Sequence, residues 1–308
     1  MANPAKTKFL IVIAGPTAVG KTDLSIKLAQ HFNTEILSAD SRQFFREMNI
    51  GTAKPTPEEQ QNIRHHFIDS HSITEEYNAG QFEADALKIL DEIFQEKDVA
   101  IMVGGSGLYV RALCEGMDDM PDVAPEIREE LNLKLETEGL ETVGKMLEKL
   151  DPEYFALVDQ ANPQRVIRAL EVCLASGKPY SYFRSQQKKQ RPFQIIKIGL
   201  TRNREELYKR IDLRMDQMLA QGLLDEAKSL EKYKSHNALQ TVGYTEIFDF
   251  LEGKYDWHEA VRLLKRNSRR YAKRQLTWFR KDPEFTWFEA SQEKEILEFV
   301  EAKMHAGN

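Results

Sequence analysis

Only two cysteines, Cys114 and Cys173, occur in this 308-residue chain. They stand far apart with neither metal-ligand nor redox spacing, so they read as two structural thiols in a reducing cytosol. No uninterrupted apolar stretch approaches the ~20 residues of a transmembrane helix, which excludes a helical membrane protein. Met1–Lys8 runs straight into the first apolar segment and leaves no room for a signal peptide, so a cytoplasmic location is expected. Internal repeats and low-complexity blocks are lacking too. The pair His65-His66 has no third ligand at useful spacing, so no metal site is read there. Charged residues make up 30% and apolar residues 41% of the chain, which suits a soluble globular protein and excludes a disordered one. The length allows one large domain or two ordinary ones. A net charge of −6 argues against a polyanionic partner, but one absence points the other way. Residues 262–281 hold no Asp or Glu and nine Lys or Arg: Arg262, Lys265, Arg266, Arg269, Arg270, Lys273, Arg274, Arg280 and Lys281. Read alone, those charges are uncompensated, and local fields govern nucleic-acid contacts more than the total does.

Gly15-Pro16-Thr17-Ala18-Val19-Gly20-Lys21-Thr22 fits G-x-x-x-x-G-K-[ST] directly after the apolar run Phe9–Ala14. A buried strand, a glycine turn and a helix in that order build a phosphate cradle. The backbone amides converge on phosphate oxygens and the helix directs its positive end at them. Lys21 then reaches the distal phosphate and the Thr22 hydroxyl can ligate Mg²⁺. A pyrophosphate-containing ligand follows; its identity does not.

Glu35–Ser38 reads as a second strand and residues 79–97 as an amphipathic helix. Val99–Val103 reads as a third strand, broken at Gly104-Gly105. This alternation predicts an α/β fold: a P-loop NTPase-like parallel sheet flanked by helices. Ligands in such sheets sit at the carboxyl ends of the strands, where Gly15–Thr22, Asp40 and Gly104–Gly107 all fall. From Pro121 to Arg191 the pattern turns helical and charge-rich (Glu126–Glu138, Thr142–Leu150, Pro163–Ser176), ending in the polar tract Ser185–Arg191. We therefore expect a core of residues 1–120 and 192–308 carrying an all-helical insertion, 121–191. Gln194–Leu200 resumes the sheet, followed by mostly helix to Lys281.

Asp40, with Ser41 beside it, is placed to accept a proton from a nucleophile or to hold Mg²⁺ through water; a turn or helix cap is the plainer role. Gly104–Tyr109 allows close backbone approach to a ligand, with Ser106 able to bond a phosphate or base, or is a simple strand-to-helix turn. No acid directly follows Val99–Val103, where an ATPase usually places a magnesium-associated Asp; this weakens a motor or hydrolase reading. Arg210 and Arg214 share a helix face. They could clamp pyrophosphate, or simply pair with Glu205, Glu206, Asp212 and Asp216 on a solvated face. The basic tail interleaves Tyr271, Trp278 and Phe279, able to stack on unpaired bases, although core packing is the expected fate of Trp278. Arg165 and Arg168 form a second basic cluster on the insertion.

In order along nearly the whole chain, these residues resemble the tRNA dimethylallyltransferase (tRNA isopentenyltransferase) family. The resemblance is carried by Gly15–Thr22, Asp40-Ser41, Asn49–Pro55, His65-His66 with Asp69, and Gly104-Gly105 with Leu108-Tyr109. It continues through Asn162–Arg165 with Arg168–Val172, Val242-Gly-Tyr244, and Ala272–Gln275 with Thr277-Trp278. It implies transfer of a prenyl group from dimethylallyl diphosphate to the exocyclic amine of the tRNA adenine 3′ of the anticodon, with Mg²⁺. By resemblance, Asp40 is the general base, Arg214 binds pyrophosphate, and Thr17 lies near the leaving group. Residues 15–22 hold the diphosphate. The tRNA contacts implied are Asp40, Ser41, Arg42, Gln43, Ser106, Arg128, Gln164, Arg165, Val166, Ile167 and Arg168, and the insertion grips the anticodon stem-loop. A cytoplasmic monomer without obligate protein partner is implied. Ser106 stands where many relatives have Thr, and Arg42–Phe45 replaces a more apolar stretch. Three alternatives stay open. An ATP-dependent small-molecule kinase leaves the basic tail, Asn49–Pro55 and the insertion unexplained. A prenyltransferase acting on free adenine nucleotide has less need of a stem-loop grip. A non-enzymatic nucleotide-binding RNA module is opposed by the placement of Asp40 and Arg214.

Overall fold

The alternation in Phe9–Ala14 sets the architecture. A computed structural model describes residues 6–184 and 187–307. Residues 1–5 of the segment read for a signal peptide, and Ser185 and Gln186 of the polar tract, lie outside the described residues. Chain order runs β1 (Phe9–Ala14), α1 (Lys21–His31), β2 (Ile36–Ser38), α2 (Pro57–Gln60), β3 (His65–His66), α3 (Ala79–Glu96), β4 (Val99–Gly104) and α4 (Gly107–Glu115). Five helices follow: α5 (Pro125–Glu138), α6 (Leu140–Leu150), α7 (Pro152–Leu157), α8 (Pro163–Ser176) and α9 (Tyr180–Phe183). The chain then forms β5 (Gln194–Thr201), α10 (Arg204–Ala220), α11 (Leu223–Ser229), α12 (Thr245–Leu251), α13 (Trp257–Phe279), β6 (Thr286–Glu289) and α14 (Glu293–Gly307).

The six strands pair in the order β3-β2-β4-β1-β5-β6, every neighbouring pair parallel. β1 is buried throughout. Phe9, Ile11 and Ile13 enter one apolar layer and Leu10, Val12 and Ala14 the other, as a period of two requires. Parallel strands need cover on both faces. α1, α10 and α14 contribute to the first layer through Leu24, Ile211 and Val300. α3 and α4 contribute to the second through Phe82, Leu90 and Leu113. α3 starts where Asn78 and Gln81 form a reciprocal capping box, satisfying amides the first turn cannot. Ala14 pairs with both Gly104 and Gly199, so the turns after β1 and β4 leave the sheet side by side.

The α/β sheet agrees with the sequence expectation. The edge strands β3 and β6 and the last helix, α14, were not anticipated; β3 spans two residues and β6 four, too few for a period to register. The chain divides into two compact units, Met1–Gly116 with Gln190–Asn308, and Met117–Lys189. The second unit is helical, around Leu131, Val143, Leu147, Val166 and Leu170. Two of its helices, α7 and α9, were not expected, and buried Asp151 joins them by accepting from Tyr154 N and Ser181 N. Cys114 and Cys173 are free and buried. No described helix is long and apolar enough to cross a membrane.

Candidate active site

β1 delivers the glycine-rich loop to the carboxyl edge of the sheet. Within the loop Ala18 (φ 62) and Gly20 (φ 114) are left-handed. For Ala18 this costs about 1–2 kcal/mol, strain of the kind that persists at ligand cradles. Thr17, Ala18, Lys21 and Thr22 line a cleft together with Asp40, Arg42, Gln43 and Arg214. Gly15, Pro16 and Val19 shape the loop from behind. The Pro16 carbonyl accepts from Lys21 Nζ at 2.7 Å, and the Val19 carbonyl from Arg202 Nε at 2.8 Å.

Desolvation within the loop lowers Lys21 from 10.5 to about 8, with Asp40 opposing and Arg214 reinforcing the shift. The sign of the pH effect follows. Below about 8 the ammonium is charged and can meet a diphosphate; as pH rises through that value the charge is lost. Affinity for inorganic pyrophosphate, measured by calorimetry, is expected to fall above pH 8, approaching about tenfold per pH unit. An affinity that stays flat to about pH 10, the ordinary lysine range, would show that Lys21 is not the group responsible.

Arg210 and Arg214, both on α10, turn to the loop, not to their own helix. Arg210 Nε donates to the Ala18 carbonyl at 2.9 Å. Arg214 reaches Thr17 Oγ1 at 3.5 Å and the Ala53 carbonyl at 3.3 Å. Three of the acids that could have neutralised them are engaged elsewhere: Glu206 with Arg202, Asp212 with Arg269, and Asp216 with Lys265. Burial lowers Arg214 below the usual guanidinium range, with Asp40 opposing.

Asp40 lies two residues beyond β2, which ends at Ser38. Its Oδ1 accepts from Arg42 N at 3.0 Å, so it makes the expected turn and also lines the cleft. Arg42, desolvated by burial, faces Asp40, Tyr109 and Tyr271. Burial pushes the Tyr271 phenol up to about 12, leaving it a neutral hydroxyl. Ser106 binds within the protein: its Oγ accepts from Ser41 N at 2.9 Å and donates to Ser41 Oγ at 3.1 Å. Gln43 is similarly engaged, accepting from Ser38 Oγ and donating to the carbonyls of Thr52 and Ala53.

Gln275 is a residue to which the sequence assigned no role. Its Oε1 accepts from Thr17 N at 2.9 Å and its Nε2 donates to the Gly105 carbonyl at 3.0 Å. One buried amide thus joins the loop after β1 to the turn after β4. The same α13 face corrects the expectation for Trp278, which is 38% exposed instead of buried. Its indole lies against Gly107, where a Cβ would stand 2.1 Å from the ring. A second correction concerns the nine cations. Arg262 pairs with Glu259, Lys265 with Asp216 and Arg269 with Asp212, because α10 and the preceding turn of α13 supply the acids. Arg266 donates to Asn267 Oδ1 at 3.1 Å, and it, Arg270, Lys273, Arg274, Arg280 and Lys281 have no carboxylate partner among the described residues.

In the helical unit, buried Glu171 (1% exposed) accepts from Arg128 at 2.8 Å and Arg168 at 2.5 Å, holding both guanidinium groups in fixed positions. Gln164 and Arg165 are exposed, whereas Val166 and Ile167 belong to that unit's core. His66 meets Glu35 at 2.7 Å and His65 meets the Ile63 carbonyl at 2.9 Å. The acidic group Glu115, Asp282 and Glu284 surrounds the Lys197 ammonium, at 3.7, 2.7 and 2.6 Å; that cation already holds the place of a metal. In the cleft, Thr22 and Asp40 offer the hard oxygen donors that suit Mg²⁺ alongside phosphate.

The family model described as IPP transferase matches residues 43–282. The tRNA dimethylallyltransferase of Cytophaga hutchinsonii is 56% identical, covering 96% of this chain and 98% of the relative. That of Christiangramia forsetii is 53% identical, covering 97% and 99%. Among solved structures, the full-length tRNA isopentenylpyrophosphate transferase of Bacillus halodurans superposes with a TM-score of 0.72 at 39% identity, covering 98% of each chain. A eukaryotic dimethylallyltransferase acting on tRNA gives a TM-score of 0.77 at 30% identity, covering 93% of this chain and 75% of that one. With its phosphate loop, sheet and near full-length likeness, the chain belongs to the IPP transferase family of tRNA dimethylallyltransferases.

Proposed function

We propose that the protein transfers a dimethylallyl group from dimethylallyl diphosphate to the exocyclic amine of the adenine 3′ of the anticodon in tRNA, releasing diphosphate. The observation that carries this reading is a single cleft lined by Lys21, Arg214 and Asp40 together. The first two suit a departing anion and the third a departing proton. In the reaction the allylic C–O bond breaks, a C–N bond forms at the amine, and the amine proton passes to Asp40. Lys21, Arg214 and the loop amides receive the charge that builds on the leaving oxygen. The target adenine must leave its stack to enter the cleft, and Arg42 and Tyr271 suit a flipped base. Closure around the base also keeps water from the allylic cation.

Thr22 would hold a Mg²⁺ ion. The ion would supply charge neutralisation of the diphosphate. The helical unit, with exposed Gln164 and Arg165, suits the anticodon stem-loop, and Arg270, Lys273 and Arg274 suit its phosphate backbone. The site of action we propose is the cytoplasm.

The purified protein, given dimethylallyl diphosphate labelled in its carbon chain and Mg²⁺, is expected to label an anticodon stem-loop carrying adenine at that position. Label on free AMP, or phosphate moved from ATP to a metabolite, would overturn the assignment in favour of the nucleotide prenyltransferase or the kinase.

A further inference from the structure

Glu226, on α11, makes four hydrogen bonds with one carboxylate. Its Oε2 accepts from Asn49 N at 3.0 Å and Ile50 N at 2.8 Å. Its Oε1 accepts from Gly51 N at 2.9 Å and the Tyr244 hydroxyl at 2.6 Å. A carboxylate has about four acceptor sites, so this one is saturated. Three successive amides converging on one anion form the concavity that elsewhere binds phosphate; here the chain fills it with its own side chain. Tyr244 is fully buried, and its ring lies 2.5 Å from where a Cβ on residue 51 would stand, so only glycine fits there. Burial, then the neighbouring carboxylate, pushes the Tyr244 phenol far up, fixing it as the donor.

What this anchor fixes is a wall of the cleft. Gly51, Thr52 and Ala53 line the cleft, and Ala53 is held in the left-handed region (φ 48). The Ala53 carbonyl accepts from Arg214 at 3.3 Å and from Gln43 at 3.2 Å. Beyond that carbonyl, the only hydrogen-bond partner of Arg214 among the described residues is Thr17 Oγ1. The direction of the guanidinium is therefore set by a loop that Glu226 and Tyr244 hold from behind. We propose that Glu226 is a positioning residue for the leaving-group end of the cleft, acting through residues 49–53 on Arg214.

This inference rests on the proposed transfer reaction, and a double-mutant cycle tests it. Glu226→Gln presents an NH₂ group to amides that need an acceptor, so the loop shifts. Turnover with the stem-loop RNA is expected to fall by about 10²-fold, the usual result of misplacing a group by about 1 Å. Affinity for that RNA should change by less than about twofold, separating turnover from binding. The decisive reading is coupling: Glu226→Gln combined with Arg214→Ala should be no slower than Arg214→Ala alone, within about threefold. Losses that multiply, or turnover by Glu226→Gln near the wild-type rate, would overturn the proposal. Should Glu226→Gln fail to fold, Tyr244→Phe keeps the ring and removes one donor, and the same cycle applies with a smaller loss. A wild-type protein that transfers nothing to RNA would sink the transfer reading itself. Transfer by the wild type with multiplying losses would sink only the role of Glu226.

Discussion

Asp40→Asn is expected to lower turnover by about 10³-fold, within the range for removing a positioned general base. The amide keeps an oxygen for Arg42 N, which the carboxylate now bonds at 3.0 Å, so the turn survives and the loss is chemical. Asp40 also faces three cations, since its charge raises Lys21, Arg42 and Arg214. Neutralising it leaves those cations free for the diphosphate, and affinity for that substrate is expected to hold or rise while kcat collapses. Single-turnover rates with saturating RNA, beside diphosphate binding by calorimetry, separate the two effects. Turnover near the wild-type rate would remove the base role from Asp40. A fall in diphosphate affinity matching the fall in rate would instead make Asp40 a binding group.

Lys21→Met should produce the second largest loss, about 10²–10³-fold in kcat/KM for the diphosphate, the range seen when one donor to a developing anion is removed. Methionine keeps most of the apolar stem, so the loop is not emptied. RNA affinity should be unchanged. The neighbouring arginine adds a second reading. Arg214 lowers Lys21, so in Arg214→Ala the pH at which pyrophosphate affinity begins to fall should move upward from about 8. An unmoved inflexion would show that the two cations do not share one ligand.

Much of this site can be read from residue order because each piece carries its own local signature. A strand running into Gly15–Thr22 has few other uses, and Asp40 and Gly104 follow apolar runs whose parallel pairing brings them to one edge. Arg214 needed more: its spacing allowed a salt-bridged helix face, and only the diversion of Asp212 to Arg269 and of Asp216 to Lys265 decided the matter. Those same pairs explain why the basic tail looked more charged than it is. Compensation came from another helix, where a sequence window could not find it. Gln275 and Glu226 were illegible as site residues for a related reason. Neither side chain has chemistry of its own here; each acts by receiving or donating to backbone brought from 170 to 258 residues away. Trp278 departs from the burial its residue type predicts, because a glycine on another helix sets how far the ring can sink.

The bridge made by Gln275 has a consequence for how the protein comes into being. The motif at residues 15–22 emerges well before α13, with its strand, helix and lysine complete. Yet Thr17 N is held by an amide that appears some 258 residues later, on the penultimate helix. A nascent chain, or a fragment cut before α13, keeps every residue of the phosphate loop and loses the strut that ties it to Gly105. The cradle is therefore without its clasp until α13 has been made.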